Sequence, residues 1–193
     1  MSPLQRHTLV ALVEDKPGVL NRVASLLRRR NFNIESIAVG HSIQPKLSRM
    51  TIVVAGDNAK VEQVRKQLDK LVEVVRIVDI TSYDSVIREL ALIKVKASHA
   101  TRSEIIQIVD IFRANIVDVS ADSLIIEVTG DGEKVDSLME LLRGFGVREI
   151  ARTGIIALTR GGAGPLLVEE EKVDKESRGK PSSRKVTSSA PDW

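Results

Sequence analysis

The order in which apolar periodicities change along these 193 residues leaves few folds open. Residues 9–13 (Leu-Val-Ala-Leu-Val) are a short continuous apolar run that reads as a buried strand. Over 17–30, Val19, Leu20, Val23, Ala24, Leu26 and Leu27 recur at helical spacing. Pro17 opens that helix, where its missing N–H is not needed. Strand patterns follow at 33–40 and 49–56, joined across Gln44-Pro45-Lys46. Asp57-Asn58 supplies an N-cap to a second helix with Val61, Val64, Leu68 and Leu71 as its stripe, and a fourth strand spans 74–81. The order β-α-β-β-α-β is the split pattern of ferredoxin-like folds.

The same order then recurs. A strand at 90–97 precedes a helix at 101–112, with Ile105, Ile108, Val109 and Phe112 inward. Strands at 115–120 and 123–129 make a hairpin, and a helix at 134–143 turns Val135, Leu138, Met139 and Leu142 inward. A last strand lies within 147–158, with an irregular start. Asn33-Ile34 and Asn115-Ile116, 82 positions apart, each follow the first helix of their module. Only five residues are aromatic (Phe32, Phe112, Phe145, Tyr83, Trp193), and β-branched richness suits sheets covered by helices. The predicted fold is therefore α+β, with ferredoxin-like βαββαβ modules at 5–82 and 86–160. Beyond Gly161-Gly162-Ala163-Gly164-Pro165 the chain loses apolar periodicity, and 169–193 carries six acidic and six basic residues. Such a segment buries too little surface to offset its chain entropy, so 161–193 is expected to be a disordered, charged, flexible tail. The glycine cluster lacks the Gly-Lys-Ser/Thr ending of a phosphate loop.

Catalytic groups are hard to find. The chain has no cysteine, which removes disulfides, thiolate metal sites and a cysteine nucleophile. His7, His41 and His99 sit on separate elements without metal-ligand spacing and read as surface residues; no metal site is expected. Carboxylates such as Glu62, Asp69, Glu133, Asp136 and Glu140 fall on polar helix faces, and no pair stands out as an acid/base couple. No serine sits in a nucleophile elbow. Net charge is +3, and Arg28-Arg29-Arg30 is the one basic cluster, at a helix end where cations favour the dipole; nucleic acid is not an expected partner. RNA binding by the sheet would need aromatics where the strands carry Val, Ile, Ala and Met. No apolar run approaches the roughly 20 residues that cross a bilayer. The first six residues lead almost directly into a strand, leaving no room for a targeting segment, so a cytoplasmic binding or regulatory protein is expected.

One stretch points to a ligand: Glu14-Asp15-Lys16-Pro17-Gly18-Val19-Leu20-Asn21, between the first strand and the first helix. Gly18 permits close backbone approach, and the N–H groups of Gly18, Val19 and Leu20 lie in the first turn, which has no intrahelical partners to offer them. Such a turn can hold a small anion such as an amino-acid carboxylate. Asp15 could cap the helix or attract an ammonium group. On its residues alone the stretch is either this site or a plain capped turn. The corresponding turn of the second module, Ser98-His99-Ala100-Thr101-Arg102, has no glycine and reads as structural or partner-binding.

Asp15-Lys16-Pro17-Gly18-Val19-Leu20 together with Asn33-Ile34-Glu35-Ser36 resembles the ACT domain of acetolactate synthase (acetohydroxyacid synthase) small subunits. Residues 47–52 (Leu-Ser-Arg-Met-Thr-Ile), 67–72 (Gln-Leu-Asp-Lys-Leu-Val) and Arg152-Thr153-Gly154 are also similar to that family's segments, over about residues 6–160. The resemblance implies a regulatory subunit without catalytic machinery of its own, acting in branched-chain amino-acid biosynthesis. It implies a homodimer through ACT domains that binds valine, or another branched-chain amino acid, at the interface as feedback inhibitor. It further implies a large catalytic subunit that carries thiamine diphosphate, Mg²⁺ and FAD and is activated by this chain, which needs no cofactor. Residue by residue, Gly18, Val19 and Leu20 would contact the carboxylate, Asn33 of the other chain would make a polar contact and Ile34 would form the pocket wall. Asp15 and Asn21 are further effector-binding candidates, Asn21 standing where family members often have Ser. The other function considered is a free-standing ACT-type amino-acid sensor acting on another target.

Overall fold

Helices that each bury one stripe must find a sheet to cover, and the chain builds two such sheets in succession. The computed structural model describes residues 5–161; the tail expected beyond Gly161 lies outside the described residues. The first unit comprises β1 (Gln5–Glu14), α1 (Val19–Arg29), β2 (Ile34–His41), β3 (Leu47–Gly56), α2 (Asn58–Leu68) and β4 (Val74–Asp79). The second comprises β5 (Ser85–Lys96), α3 (Arg102–Ile111), β6 (Asn115–Val119), β7 (Ser123–Gly130), α4 (Gly132–Arg143), β8 (Val147–Arg152) and β9 (Ile156–Thr159). Strand orders are β2-β3-β1-β4 and β6-β7-β5-β8, all antiparallel, as the ferredoxin-like α+β pattern requires.

Leu9, Ala11 and Val13 enter the first core beneath the helices with Val23, Leu27, Ile52, Val61, Val64 and Leu68. Val10, on the opposite face of β1, is also buried, packed with Ile80 and Ala157 and flanked by Val78 and Ile87. This explains why residues 9–13 do not alternate: the second unit covers the face that would otherwise meet water. In β5, by contrast, Ala91, Ile93 and Val95 are buried while Leu92 and Lys96 are exposed, and the strand alternates. The second core closes over these residues with Ile105, Val109, Ile126, Val135, Leu138 and Leu142.

The repeat extends to backbone detail. Asn31 (φ 57°) and Arg113 (φ 49°), 82 positions apart, both leave their helices in the left-handed region. Asp57 and Asp131 cap α2 and α4 by accepting the Lys60 and Lys134 N–H groups at 2.8 and 2.9 Å.

Four expectations need correction. The 147–158 segment is two strands, because Thr153, Gly154 (φ 82°) and Ile155 interrupt the ladder with one extra residue, past which β9 continues antiparallel along the earlier part of β5. The fifth strand accordingly begins at Ser85 rather than residue 90, since Ser85, Val86, Ile87 and Arg88 find their partners only in β9. Leu20 is not part of the inward stripe of α1 but 46% exposed. His7 is buried, its Nδ1 at 2.9 Å from Asp79 Oδ2, because its position on β1 places it between β3 and the end of β4. Among the described residues no helix is long and apolar enough to cross a membrane.

Candidate functional site

The helix that follows β1 starts two residues later than Pro17 suggests, at Val19. Pro17 and Gly18 precede the helix; Gly18 is the N-cap, with φ 89° and ψ −13°. The Lys16 carbonyl accepts the Val19 N–H at 3.4 Å, and Pro followed by a glycine at these angles is the type II arrangement. The first helical bond is donated by Arg22 N–H to the Gly18 carbonyl at 3.0 Å. The N–H groups of Leu20 and Asn21 therefore precede the hydrogen-bonded ladder.

No side chain caps α1. Asp15 does not reach it: its N–H donates to the Lys46 carbonyl at 2.8 Å and its carboxylate lies 3.2 Å from His41 Nδ1, at the far end of β2. A Cβ on Gly18 would meet nothing within 4 Å, so the space above the turn is open. The matching turn of the second unit is closed by its own side chains. Thr101 Oγ1 accepts the Ser98 N–H at 3.1 Å, and Ser98 Oγ accepts the Thr101 N–H at 3.3 Å. The difference between the two turns is thus chemical as well as a matter of glycine.

The candidate residues divide into two groups. Asp15, Gly18, Val19, Leu20 and Asn21 surround the turn. Val19 is only 4% exposed: its side chain belongs to the first core and its N–H is taken by the Lys16 carbonyl. Leu20 and Asn21 are exposed, and Asn21 Oδ1 accepts from Ser25 Oγ at 3.5 Å. Asn33 is exposed just before β2, and Ile34, half-buried, packs against the first core opposite Val54. Between the groups lies α1, whose 11 residues span about 16 Å. One copy of the chain therefore does not bring Gly18 and Asn33 to a common ligand.

The edge of the sheet relates them differently. β2 pairs with β3 on one side and has no partner strand on the other among the described residues. It begins beside Asn33 and ends at His41, next to Asp15 and the open turn. Its outer residues include Val39, 48% exposed. The sequence-based expectation names residues in both groups and leaves out His41, whose only signal is its place at the end of a strand.

A second concavity of about 410 Å³ lies between the units, lined by Arg6, Glu35, Ser36, Glu89, Arg152 and Gly154 among others. Its charges are satisfied internally. Arg6 Nε lies 2.7 Å from Glu35, and Arg152 forks onto the buried Glu89 while reaching Asp136 at 2.7 Å. These carboxylate bonds hold the Arg152 guanidinium above its usual pKa, Glu89 contributing most.

Residues 88–161 match the family described as "Small subunit of acetolactate synthase", and residues 9–76 match "AHAS small subunit-like ACT domain". The acetolactate synthase small subunit of Mycolicibacterium smegmatis is 54% identical over 158 residues, covering 82% of this chain and 93% of that protein. That of Mycobacterium leprae is 52% identical over 164 residues, covering 85% and 97%. Among solved structures, the acetolactate synthase small subunit of Thermotoga maritima superposes with a TM-score of 0.76 at 47% identity, covering 83% of this chain and all of that one.

Proposed function

The chain belongs to the acetolactate synthase small-subunit family, and from that premise we propose that it regulates a catalytic acetolactate synthase subunit by binding valine, or another branched-chain amino acid, between two copies of itself. In this reading residues 5–82 form the effector-binding ACT domain and 86–160 a second domain. The catalytic subunit holds the thiamine diphosphate, Mg²⁺ and FAD, and this chain activates it and lowers its activity when the effector is bound.

The observation that carries the reading is the course of β2. It is an edge strand with Asn33 at its start and the Asp15–His41 contact at its end. An isologous, antiparallel pairing of two such edges sets the start of one strand beside the end of the other. Asn33 and Ile34 of the partner subunit would then stand by the open turn of Gly18. A zwitterion fits what the two sides offer. The amides of Leu20 and Asn21, at the positive end of α1, suit its carboxylate. Asn33 offers a polar side chain, and Ile34 an apolar wall. Val19, buried in the first core with its N–H on the Lys16 carbonyl, holds the turn in place.

A metabolite effector binds with about −4 to −8 kcal/mol, for dissociation constants between about 1 mM and 1 μM. The valine side chain supplies about 1.5–3 kcal/mol of this. Charge-assisted hydrogen bonds to both ends supply much of the remainder.

The test is reconstitution with the catalytic subunit, with and without valine, using Gly18→Asp and Gly18→Asn. Both variants carry a side chain at positive φ, a conformation that Asp and Asn tolerate best, but only one adds charge. Gly18→Asp is expected to activate the catalytic subunit and lose inhibition, with Gly18→Asn retaining more of it. A valine titration of Gly18→Asp that matches the unaltered chain sinks the site assignment. Failure to associate with the catalytic subunit favours a free-standing sensor.

A further inference from the structure

The strand that carries Asn33 and Ile34 is also where the two units touch. β2 pairs Ile34 with Val54 and then Ser36 with Val53, so Glu35 is an extra residue, accommodated by a bulge. Ile34 and Ile37 both pack on the first core, with two residues between them instead of the one that alternation allows. Bulges redirect side chains, and here the redirected one is Ser36. Its Oγ accepts the N–H of Ile155 at 2.8 Å. Gly154 beside it, at φ 82°, lies so close that a Cβ would sit 2.7 Å from Ser36 Oγ and 3.3 Å from the Ile37 carbonyl oxygen.

The far side of this contact is firmly held. Thr153 donates its N–H to the Leu90 carbonyl at 3.0 Å, and its Oγ1 accepts the Leu90 N–H at 3.1 Å. Arg152 is fixed by Glu89 on β5 and Asp136 on α4. Beyond Ile155, β9 continues along β5, and the Arg49 guanidinium donates to the Ala157 carbonyl at 2.8 Å. The cleft around Gly154 is lined by Arg6 and Arg152, and both guanidiniums are engaged by carboxylates. Its design is that of a joint rather than a pocket.

We propose that Ser36 and the Thr153-Gly154-Ile155 segment are the joint through which effector occupancy is transmitted from β2 to the second unit, and thence to the catalytic subunit. Ser36 is a positioning residue: it follows Asn33 and Ile34 within one bulged stretch, so a shift of the strand start on ligand contact reaches the Ile155 amide directly. The inference rests on the effector reading above, and the experiment separates the two.

Ser36→Ala removes the acceptor, Ser36→Thr restores a hydroxyl, and Gly154→Ala crowds the contact from the other side. Each full-length chain is measured twice: valine affinity by calorimetry on the small subunit alone, and valine inhibition of the reconstituted complex. Ser36→Ala is expected to bind valine within about twofold of the unaltered chain while its valine-dependent change in activity shrinks by about fivefold or more, a loss of coupling without loss of binding. Ser36→Thr is expected to recover inhibition, and Gly154→Ala to behave like Ser36→Ala. Unchanged inhibition in Ser36→Ala overturns the joint and leaves the effector site standing. Affinity lost together with inhibition makes Ser36 part of the site and also overturns the joint. Absence of valine binding to the unaltered chain overturns the effector reading, and the joint with it.

Discussion

At the scale of single residues, the candidate site is defined by what is missing as much as by what is present. Gly18 has no side chain, α1 has no side-chain cap, and Asp15, the residue suited to cap it, is turned to His41. The open amides follow from this. Asn33, exposed ahead of β2, is the polar group proposed to reach across from the other copy. Asn33→Ala is expected to weaken valine binding by about 0.5–1.5 kcal/mol, the net worth of one hydrogen bond. Calorimetry checks this, and an unchanged affinity removes Asn33 from the site. Elsewhere, residue chemistry serves the fold: the buried Glu89, together with Asp136, holds Arg152, next to the segment that meets Ser36.

Elements differ in how they are secured at their ends. α2 relies on Asp57, whose carboxyl is held below its ordinary value of 3.8, chiefly by the hydrogen bond from the Lys60 backbone N–H. A carboxyl lowered on folding contributes its stability above its unfolded pKa and loses it as pH falls through the folded one. Asp57→Ala is therefore expected to lower the melting temperature at neutral pH. The gap from the unaltered chain should close in acid as Asp57 protonates; thermal scans across that range decide. A gap independent of pH would mean that the cap acts without its charge. β2 is one of the edge strands and has an unfilled side among the described residues. Its exposed edge needs a partner or a deterrent, and Val39, 48% exposed, is no deterrent. Val39→Lys sets like charges against each other across a two-fold edge and is expected to shift the chain from dimer towards monomer in sedimentation. An unaltered mass would place the contact between copies elsewhere.

For the whole molecule, the packing of Val10, Ile80 and Ala157 joins the two sheets. Ile80→Ala, at a side chain only 2% exposed, is expected to cost about 2–5 kcal/mol in urea unfolding, the range for deleting a buried aliphatic side chain. A smaller change with a single undisturbed transition would show the junction to be peripheral to stability. Taken with the Ser36–Ile155 bond and the Arg49–Ala157 bond, this junction makes the second unit a neighbour of both the centre and the edge of the first sheet. A coupling of about 1–3 kcal/mol is all that feedback needs, within reach of such a small set of contacts.

The α+β order, the repeated units, the helical stripes and the singular Pro17-Gly18 turn were legible in the residues, because periodicity, turn chemistry and capping act over a few positions. The motifs around Gly18, Asn33 and Gly154 also identified the family before any coordinates. What lay beyond local patterns was decided by pairing at a distance. The continuous run 9–13 signals burial on both faces without saying that the second unit covers one of them. Residues 85–88 become strand only because β9, continuing past the one-residue irregularity at Gly154 (φ 82°), pairs with them. His7 looked like a surface residue until strand register put it beside Asp79, and Leu20, though at helical spacing, is left 46% exposed because α1 packs through Val19, Val23, Leu26 and Leu27. The meeting of Ser36 with Ile155, 119 positions away, depends on a bulge, and a bulge is set by which residues two strands must bury together. Short-range chemistry fixed the elements; the tertiary structure decided which faces and edges they share.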